Sequence, residues 1–162
     1  MLIRELCAAF AEVGYDGREM VTLSPEVERF LRGERVARLA TVDRAGRPHV
    51  VPIVFVYDAG RVYTPLDAKP KSVEPRALRR VRNILANPQV QVLVDRYDED
   101  WRRLGYAQLR GTAELLESGE ELAHALELLA GKYEQYTDLP LAGRPAIRVA
   151  VERVVTWGSL GG

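Results

Sequence analysis

The sequence predicts a mainly β fold with helices, in which antiparallel strands build a small barrel. Short runs rich in valine, isoleucine and aromatic residues are bounded by turn sequences containing glycine, aspartate and asparagine. Successive runs are often separated by only a few residues, which suits antiparallel strands and is too short for a parallel crossover. Helical patterns interrupt the strands, so the predicted order is helix, three strands, helix, two strands, helix, strand.

The chain begins with a segment that we interpret as an N-terminal extension or helix over residues 1–20. Apolar side chains recur at helical spacing from Leu2 to Val13, which predicts a short amphipathic helix. A glycine-containing link follows at residues 14–17, and Met20 is an alternative start of the chain. Residues 21–162 then form the predicted barrel domain.

The first helix of the domain has clear boundary signals. Ser24 is expected to cap it and Pro25 to occupy its first position, while Gly33 ends it. The next strand, residues 35–42, alternates between two faces and leads into a turn at residues 43–46.

The second predicted strand covers residues 49–57 and is rich in β-branched and aromatic residues, which favours burial on both faces. Pro52 lacks an N–H group, so it indicates a bulge or a bent edge position. A turn at residues 58–60 leads to a third strand at residues 61–64. Three strands joined by two short turns predict an antiparallel meander.

The rest of the chain alternates helices and strands. Pro75 is expected to open a helix that runs to about residue 86. Ser118 and Glu121 are spaced as a capping box for a further helix that runs to about residue 136. Strands are expected at residues 89–97, 106–116 and 146–157. The inner face of the helix over residues 75–86 is expected to carry Leu78, Val81, Ile84 and Leu85.

Composition excludes several classes of function. Lysine plus arginine and aspartate plus glutamate number 23 each, a neutrality that argues against a nucleic-acid or membrane-surface binder. The single cysteine, Cys7, excludes an internal disulfide and fits a cytoplasmic setting. His49 and His124 lie far apart, so we expect no metal site. The chain also lacks P-loop, zinc-protease and nucleophile-elbow motifs.

One segment concentrates positive charge. Residues 69–82 contain six basic residues and one acidic residue, Glu74, in a loop that enters a helix. The basic residues are Lys69, Lys71, Arg76, Arg79, Arg80 and Arg82. Loop lysines beside a helix start can bind an anion, but a solvated basic face explains the charges equally well. Helical spacing places Arg76 and Arg80 on one face and Arg79 and Arg82 on another.

Two neighbouring features allow a functional and a structural interpretation. Thr64 ends the third strand before the basic segment, where its hydroxyl can donate to a phosphate or simply pack as a strand residue. Pro52 interrupts the second strand, where free backbone groups can meet a planar ligand or the proline can merely protect an edge. The acidic residues between Asp95 and Asp100 are interpreted as a solvated loop.

The sequence resembles a known family at several places in the right order. Residues 38–43 and 46–53 are similar to the opening hairpin of the pyridoxamine 5'-phosphate oxidase-like flavin-binding split barrels. Residues 82–90 are similar to the helix-to-strand junction of that family. Residues 69–71 and 95–101 resemble its branch of probable coenzyme F420 (deazaflavin)-dependent enzymes, and the whole resemblance covers about residues 24–157.

The resemblance implies a split β-barrel that forms a homodimer, with the cofactor in a groove at the subunit interface. A basic residue three positions before the helix asparagine, here Arg80 before Asn83, would hold the phosphate. Lys69 and Lys71 in a longer loop are alternatives for that role, and Thr64 is a further candidate. Val51, Pro52 and Ile53 match the strand along the ring system.

The implied activity is hydride transfer between reduced F420 and a small organic substrate, with no side chain assigned as a catalytic acid. The alternatives are an FMN-dependent enzyme, including a pyridoxamine 5'-phosphate oxidase, and a non-enzymatic carrier of F420 or flavin. FMN and F420 both carry a ribityl phosphate, so the basic segment separates them poorly. The extra carboxylates of the F420 tail favour F420 slightly.

Overall fold

The computed structural model describes residues 11–13, 21–66 and 74–161. These residues form eight β-strands and three α-helices. The strands are β1 (Ala11–Val13), β2 (Ala37–Val42), β3 (Pro48–Ile53), β4 (Val56–Asp58), β5 (Arg61–Pro65), β6 (Gln89–Arg96), β7 (Gly105–Leu116) and β8 (Ala146–Gly158). The helices are α1 (Pro25–Gly33), α2 (Arg79–Ala86) and α3 (Glu120–Lys132), with single 3₁₀ turns at Pro75–Ala77, Trp101–Arg103 and Glu134–Thr137.

All described strand pairs are antiparallel and belong to one sheet. The strand order is β3-β2-β6-β7-β8-β5-β4, and β1 pairs with β8 beside this path. β3 and β4 lie at opposite ends of the path, yet only Val54 and Phe55 separate them in sequence. Because so short a link spans only about 10 Å, the sheet has to curl until its two ends lie close together. The result is an antiparallel half-barrel, as the sequence predicts.

A backbone irregularity contributes to this curvature. The β7–β8 register shifts after the pair Arg110 and Arg153, so that Gly111 lies opposite Val151 and Glu152 is an extra residue. Extra residues of this kind increase the local bend and twist of a strand. A Cβ atom at Gly111 would lie 2.0 Å from the Ala150 carbonyl oxygen, so only glycine fits this position.

The predicted three-strand meander is wrong. The segment predicted as one strand over residues 49–57 breaks at Val54 and Phe55 into β3 and β4. Its first part pairs with β2 and its second part with β5, and these pairs lie at opposite ends of the sheet. The expected burial of this strand on both faces also fails in β3, because every second residue, from Pro48 to Pro52, is exposed.

Tyr133 holds the break between β3 and β4 in place. Its hydroxyl accepts a hydrogen bond from the Phe55 N–H at 2.9 Å and lies 2.7 Å from the Phe55 carbonyl oxygen. It also lies 2.9 Å from the carbonyl oxygen of Arg35, before β2. Phe55 is fully buried, so these contacts satisfy backbone groups that water cannot reach.

The helices follow the predicted pattern with several corrections. The helix predicted to open at Pro75 begins instead at Arg79, because Pro75–Ala77 forms a separate 3₁₀ turn. Ser24 caps α1 by accepting the Val27 N–H at 3.3 Å, as expected. The predicted capping box is absent, because α3 begins after Gly119 without a side-chain cap. Glu121 instead accepts from the Tyr63 hydroxyl at 3.0 Å. In α2 the expected inner residue Leu85 is 54% exposed, whereas Asn83 is buried.

A further correction concerns the N-terminal segment. The predicted helix over residues 2–13 is wrong at Ala11–Val13, which form β1 and pair with Val154–Thr156 of β8. The rest of that prediction, and most of the proposed extension over residues 1–20, lies outside the described residues.

Two apolar clusters stabilise the fold. The larger fills the inside of the half-barrel. It includes Phe30 and Leu31 of α1, Val81 of α2, Leu39 of β2 and Leu109 of β7. The smaller packs α3 against β4 and β5 through residues that include Leu129, Tyr133 and Tyr63. In the described part of the chain, no helix is both long enough and apolar enough to cross a membrane.

Candidate cofactor-binding site

The end of the sheet at β3 has an open edge, since no described strand pairs with its outer side. The Asp43 N–H donates to the Arg47 carbonyl at 3.1 Å. This bond fixes which residues along the β2–β3 hairpin direct their backbone groups towards the partner strand. With the register Thr41–His49 and Leu39–Val51, the backbone groups of His49, Val51 and Ile53 point towards β2. Those of the intervening residues point to the open edge.

The two prolines of β3 occupy positions that point to this open edge. Pro48 and Pro52 therefore cost the β2–β3 ladder no hydrogen bond, and the interpretation of Pro52 as an interruption of the ladder is wrong. Because proline has no N–H, the edge from Pro48 to Pro52 presents three carbonyl oxygens and the single N–H of Val50. An edge of this kind discourages pairing with another strand. Its backbone carbonyl and N–H groups remain available to a small planar ligand.

The three residues expected along the ring system lie on two faces of the sheet. Val51 is half-buried and Ile53 is buried, and both face the core. Pro52 is exposed on the outer face, opposite Arg38 of β2. Its neighbour Val50 is 57% exposed on the same outer face.

A buried polar contact joins α2 to the β2–β3 hairpin. The Asn83 side-chain amide donates to the Thr41 hydroxyl at 2.9 Å, and both side chains are buried. The Thr41 hydroxyl in turn donates to the His49 carbonyl at 3.4 Å. These bonds fix α2, and with it Arg80, relative to the start of β3.

His49 lies where β3 meets this basic helix. Burial of the imidazole lowers its pKa, and the positive charges of Arg79 and Arg80 lower it further. Its Nδ1 atom is buried and has no hydrogen-bond partner among the described residues. The first turn of α2 and the start of β3 therefore share a positive potential.

Of the other predicted phosphate contacts, Thr64 is the one that the structure describes. Thr64 is buried in β5 and pairs with Ile147 of β8. Lys69 and Lys71 lie outside the described residues. Arg76 forms a two-point ion pair with Glu117 and precedes α2, so the predicted face shared by Arg76 and Arg80 is wrong.

Arg79 and Arg82, which helical spacing places together, line an open groove of about 820 Å³ between α2 and the β2–β3 turn. Arg44 and Arg47 of the turn line its other side. The sequence pattern does not reveal this groove, because the turn and the helix are more than thirty residues apart. The one available signal is that the turn itself carries arginines.

Acidic residues of the segment from Asp95 to Asp100 form ion pairs with neighbouring arginines. Asp95 pairs with Arg38 at 2.6 Å, and Asp100 pairs with Arg102 at 2.8 Å. Among the described residues no group of histidine, cysteine, aspartate and glutamate side chains is arranged to bind a metal ion.

The two tryptophans differ in their surroundings. The side chain of Trp101 is 71% exposed. That of Trp157 stacks on Tyr106, with 5.6 Å between the ring centroids.

The chemistry of this region fits a planar cofactor with an anionic tail. The open edge of β3 presents both a donor and acceptors, as a flavin or deazaflavin ring requires. Arg80 supplies a fixed charge close to the start of the same strand, where a phosphate group would be stabilised.

Comparison with known proteins identifies the family. A family model of pyridoxamine 5'-phosphate oxidase matches residues 23–158. The chain is 29% identical over 130 residues to the 5a,11a-dehydrotetracycline/5a,11a-dehydrooxytetracycline reductase of Streptomyces rimosus, a match that covers 80% of this chain and 78% of that protein.

Solved structures share the architecture. A FAD-binding protein from Mesorhizobium loti has a TM-score of 0.60 and 25% identity, covering 83% of this chain and 94% of that one. A heme storage protein from Vibrio cholerae has a TM-score of 0.65 and 22% identity, with coverage of 85% and 98%, and this likeness concerns the fold. The match over residues 23–158 and the half-barrel together confirm the resemblance: the chain belongs to the pyridoxamine 5'-phosphate oxidase family of split barrels.

Proposed function

We propose that this protein is an F420-dependent oxidoreductase that transfers a hydride between the reduced deazaflavin and a small organic substrate. The observation that carries the proposal is the junction of an open strand edge at β3 with a basic helix start at Arg80. The family and the reductase from Streptomyces rimosus support an oxidoreductase. When bound, the cofactor would supply the hydride chemistry, and the protein would bind and orient the reactants.

The proposed contacts divide between the two ends of the cofactor. The backbone of Val51, Pro52 and Ile53 would lie along the ring, together with the outward N–H of Val50. Arg80 would hold the phosphate, with Lys69, Lys71 and Thr64 as further candidates. Asn83 would keep Arg80 in position through its bond to Thr41, without touching the cofactor.

FMN is the alternative cofactor. The relationship to the FAD-binding protein from Mesorhizobium loti favours a flavin, and the phosphate contacts at Arg80 would be the same. With FMN the protein would be a flavin-dependent oxidase or reductase, and without turnover it would be a carrier of the cofactor.

We also propose a homodimer that works in the cytoplasm on a small molecule. The open β3 edge and the outer face around it expose apolar atoms, most clearly at Val50 and Pro52. The partner subunit would cover this face and complete the groove around the ring. Size-exclusion chromatography with light scattering tests the dimer directly.

The function is tested by titrating the full chain separately with F420, FMN, FAD and heme, following fluorescence for the flavins and deazaflavin and absorbance for heme. We expect the highest affinity for F420, and a preference for FMN would overturn the F420 assignment. Tight binding of heme alone would overturn the oxidoreductase proposal.

Turnover is tested next, with reduced F420 and 5a,11a-dehydrotetracycline, because the name of the Streptomyces rimosus reductase places a reducible unsaturation in that molecule. Oxidation of the cofactor that depends on an added substrate supports an enzyme. Binding of F420 without turnover of any unsaturated substrate tried would favour the carrier.

A further inference from the structure

We propose that the groove between α2 and the β2–β3 turn is a second anion-binding site, built for a ligand with two or more negatively charged groups. Its arginine set is Arg44, Arg47, Arg79 and Arg82. Arg80, the residue assigned to the cofactor phosphate, is not among the groove residues. The proposal therefore does not rest on the assignment of Arg80 to the phosphate.

The two walls of the groove come from different parts of the chain. One wall is a single face of α2, whose residues recur every three or four positions: Arg79, Arg82, Asn83 and Ala86. Over this face the helix rises about 10 Å, which separates the Cα atoms of Arg79 and Arg82 by about 5 Å along its axis. The opposite wall is the turn at residues 43–47.

Asp43 organises the turn without neutralising the groove. Its carboxylate accepts the N–H groups of Ala45 at 2.9 Å and Arg47 at 3.0 Å, and the side chain of Arg47 at 2.9 Å. The donated N–H of Arg47 is the main reason that the pKa of Asp43 is lowered. Asp43 also lies 3.9 Å from the Arg79 guanidinium, so one carboxylate orients two arginines from opposite walls.

The other two arginines lack an acidic partner. The side chains of Arg44 and Arg82 form no ion pair or hydrogen bond with any described residue. Four guanidinium groups face one carboxylate that is already fully engaged, which leaves three positive charges in excess. Guanidinium groups that converge on a concave surface favour phosphate or carboxylate ligands, which they bind through two parallel hydrogen bonds.

The form of the groove limits the class of ligand. The three positive charges in excess favour a ligand with several anionic groups, and neighbouring groups of such a chain spaced by about 5 Å would match the rise from Arg79 to Arg82 along α2. Leu85, which is 54% exposed, borders the groove and offers apolar contact beside the charges. An oligophosphate and an oligocarboxylate chain share this chemistry.

The test uses calorimetric titration of the full chain with tripolyphosphate and, separately, with a triglutamate peptide. We expect binding that weakens as the salt concentration rises, because exposed charge pairs are screened. The double variant Arg44→Gln/Arg82→Gln is expected to lose about a hundredfold in affinity for the probe that binds. The relative affinities of the two probes show which anionic group the groove prefers.

The matched control is Arg32→Gln/Arg102→Gln, which removes the same charge from two exposed arginines outside the groove. It is expected to bind the probe as the wild type does. Equal losses in both double variants would show a general charge effect and overturn the proposal. Absence of binding for both probes would also overturn it. So would binding by the monomer but not the dimer, since a second copy of the chain would then cover the groove.

Discussion

The Asn83 side chain donates a hydrogen bond to the Thr41 hydroxyl at 2.9 Å and thereby joins helix α2 to the β2–β3 hairpin. Both residues are buried, so neither group has water as an alternative partner. Asn83 lies three positions after Arg80 and between two residues of the groove, Arg82 and Ala86. One buried hydrogen bond therefore positions both proposed anion sites.

Asn83→Ala is expected to lower the free energy of unfolding by about 1–3 kcal/mol, because the Thr41 hydroxyl loses a buried partner. The better helix propensity of alanine offsets a few tenths of a kcal/mol. Urea denaturation measures the change. Asn87→Ala is the control, since it removes an exposed hydrogen bond to the Gln89 N–H. An equal loss of stability in the two variants would contradict the structural role given to Asn83.

Tyr133→Phe is expected to cost about 1–3 kcal/mol of stability, because it leaves the buried N–H of Phe55 without an acceptor. The aromatic ring remains, so the variant isolates the hydroxyl. Tyr97→Phe removes a hydroxyl from a side chain that is 70% exposed and is expected to change stability by less than about 0.5 kcal/mol. Thermal or urea unfolding of both proteins makes the comparison, and a neutral Tyr133→Phe would show that the break between β3 and β4 does not need this contact.

Lys132 predicts a pH dependence of stability. Burial of its ammonium, with a further effect of Arg35, lowers the pKa to about 8 from an ordinary value of 10.5, although Glu34 opposes the shift. Between these two values the unfolded chain binds more protons than the folded chain, so stability is expected to rise as the pH increases above about 8.

The tyrosines limit the range in which this effect can be measured. Burial raises the pKa of Tyr63 to about 12, so its contribution to stability falls as the pH rises above about 10. The free energy of unfolding is therefore compared between pH 8 and 10 for the wild type and Lys132→Met. The variant is expected to lose the rise, and an identical slope in both proteins would refute the role of Lys132.

Val50→Pro tests the geometry of the open edge. The Val50 N–H points away from β2, so its loss is expected to leave the fold and its stability nearly unchanged. Cofactor affinity is expected to fall by up to about tenfold, since one hydrogen bond to the ring is lost. Val50→Ala keeps the N–H and is the matched control. Unfolding of Val50→Pro would show that this N–H belongs to the sheet after all.

Lys71→Ala/Arg80→Ala is expected to weaken cofactor binding by about a hundredfold or more, because two charged contacts to the phosphate are removed. Circular dichroism should show an unchanged barrel. Arg32→Ala/Arg102→Ala removes the same charge from exposed ion pairs and should bind the cofactor normally. Unchanged affinity in Lys71→Ala/Arg80→Ala would place the phosphate elsewhere.

Local patterns predicted much of the architecture correctly. The alternation of residues 35–42 predicted the two faces of β2, and Ser24 with Pro25 predicted the start of α1. These features depend on neighbours within a few residues, where propensity and period are decisive. The long apolar segment at residues 49–57 was predicted less well, because periodicity does not show where one strand divides between two partners.

The site shows the same division between local and tertiary information. By itself the sequence determined that the chain is an antiparallel barrel that contains a basic helix and a proline-containing strand, because composition, turns and spacing are encoded locally. Only the tertiary structure decided that Pro52 faces an open edge, that Asn83 reaches Thr41, and that Arg44 and Arg47 meet Arg79 and Arg82 across a groove. These relationships depend on strand register and on the closure of the sheet, which bring residues far apart in sequence to within a few ångströms.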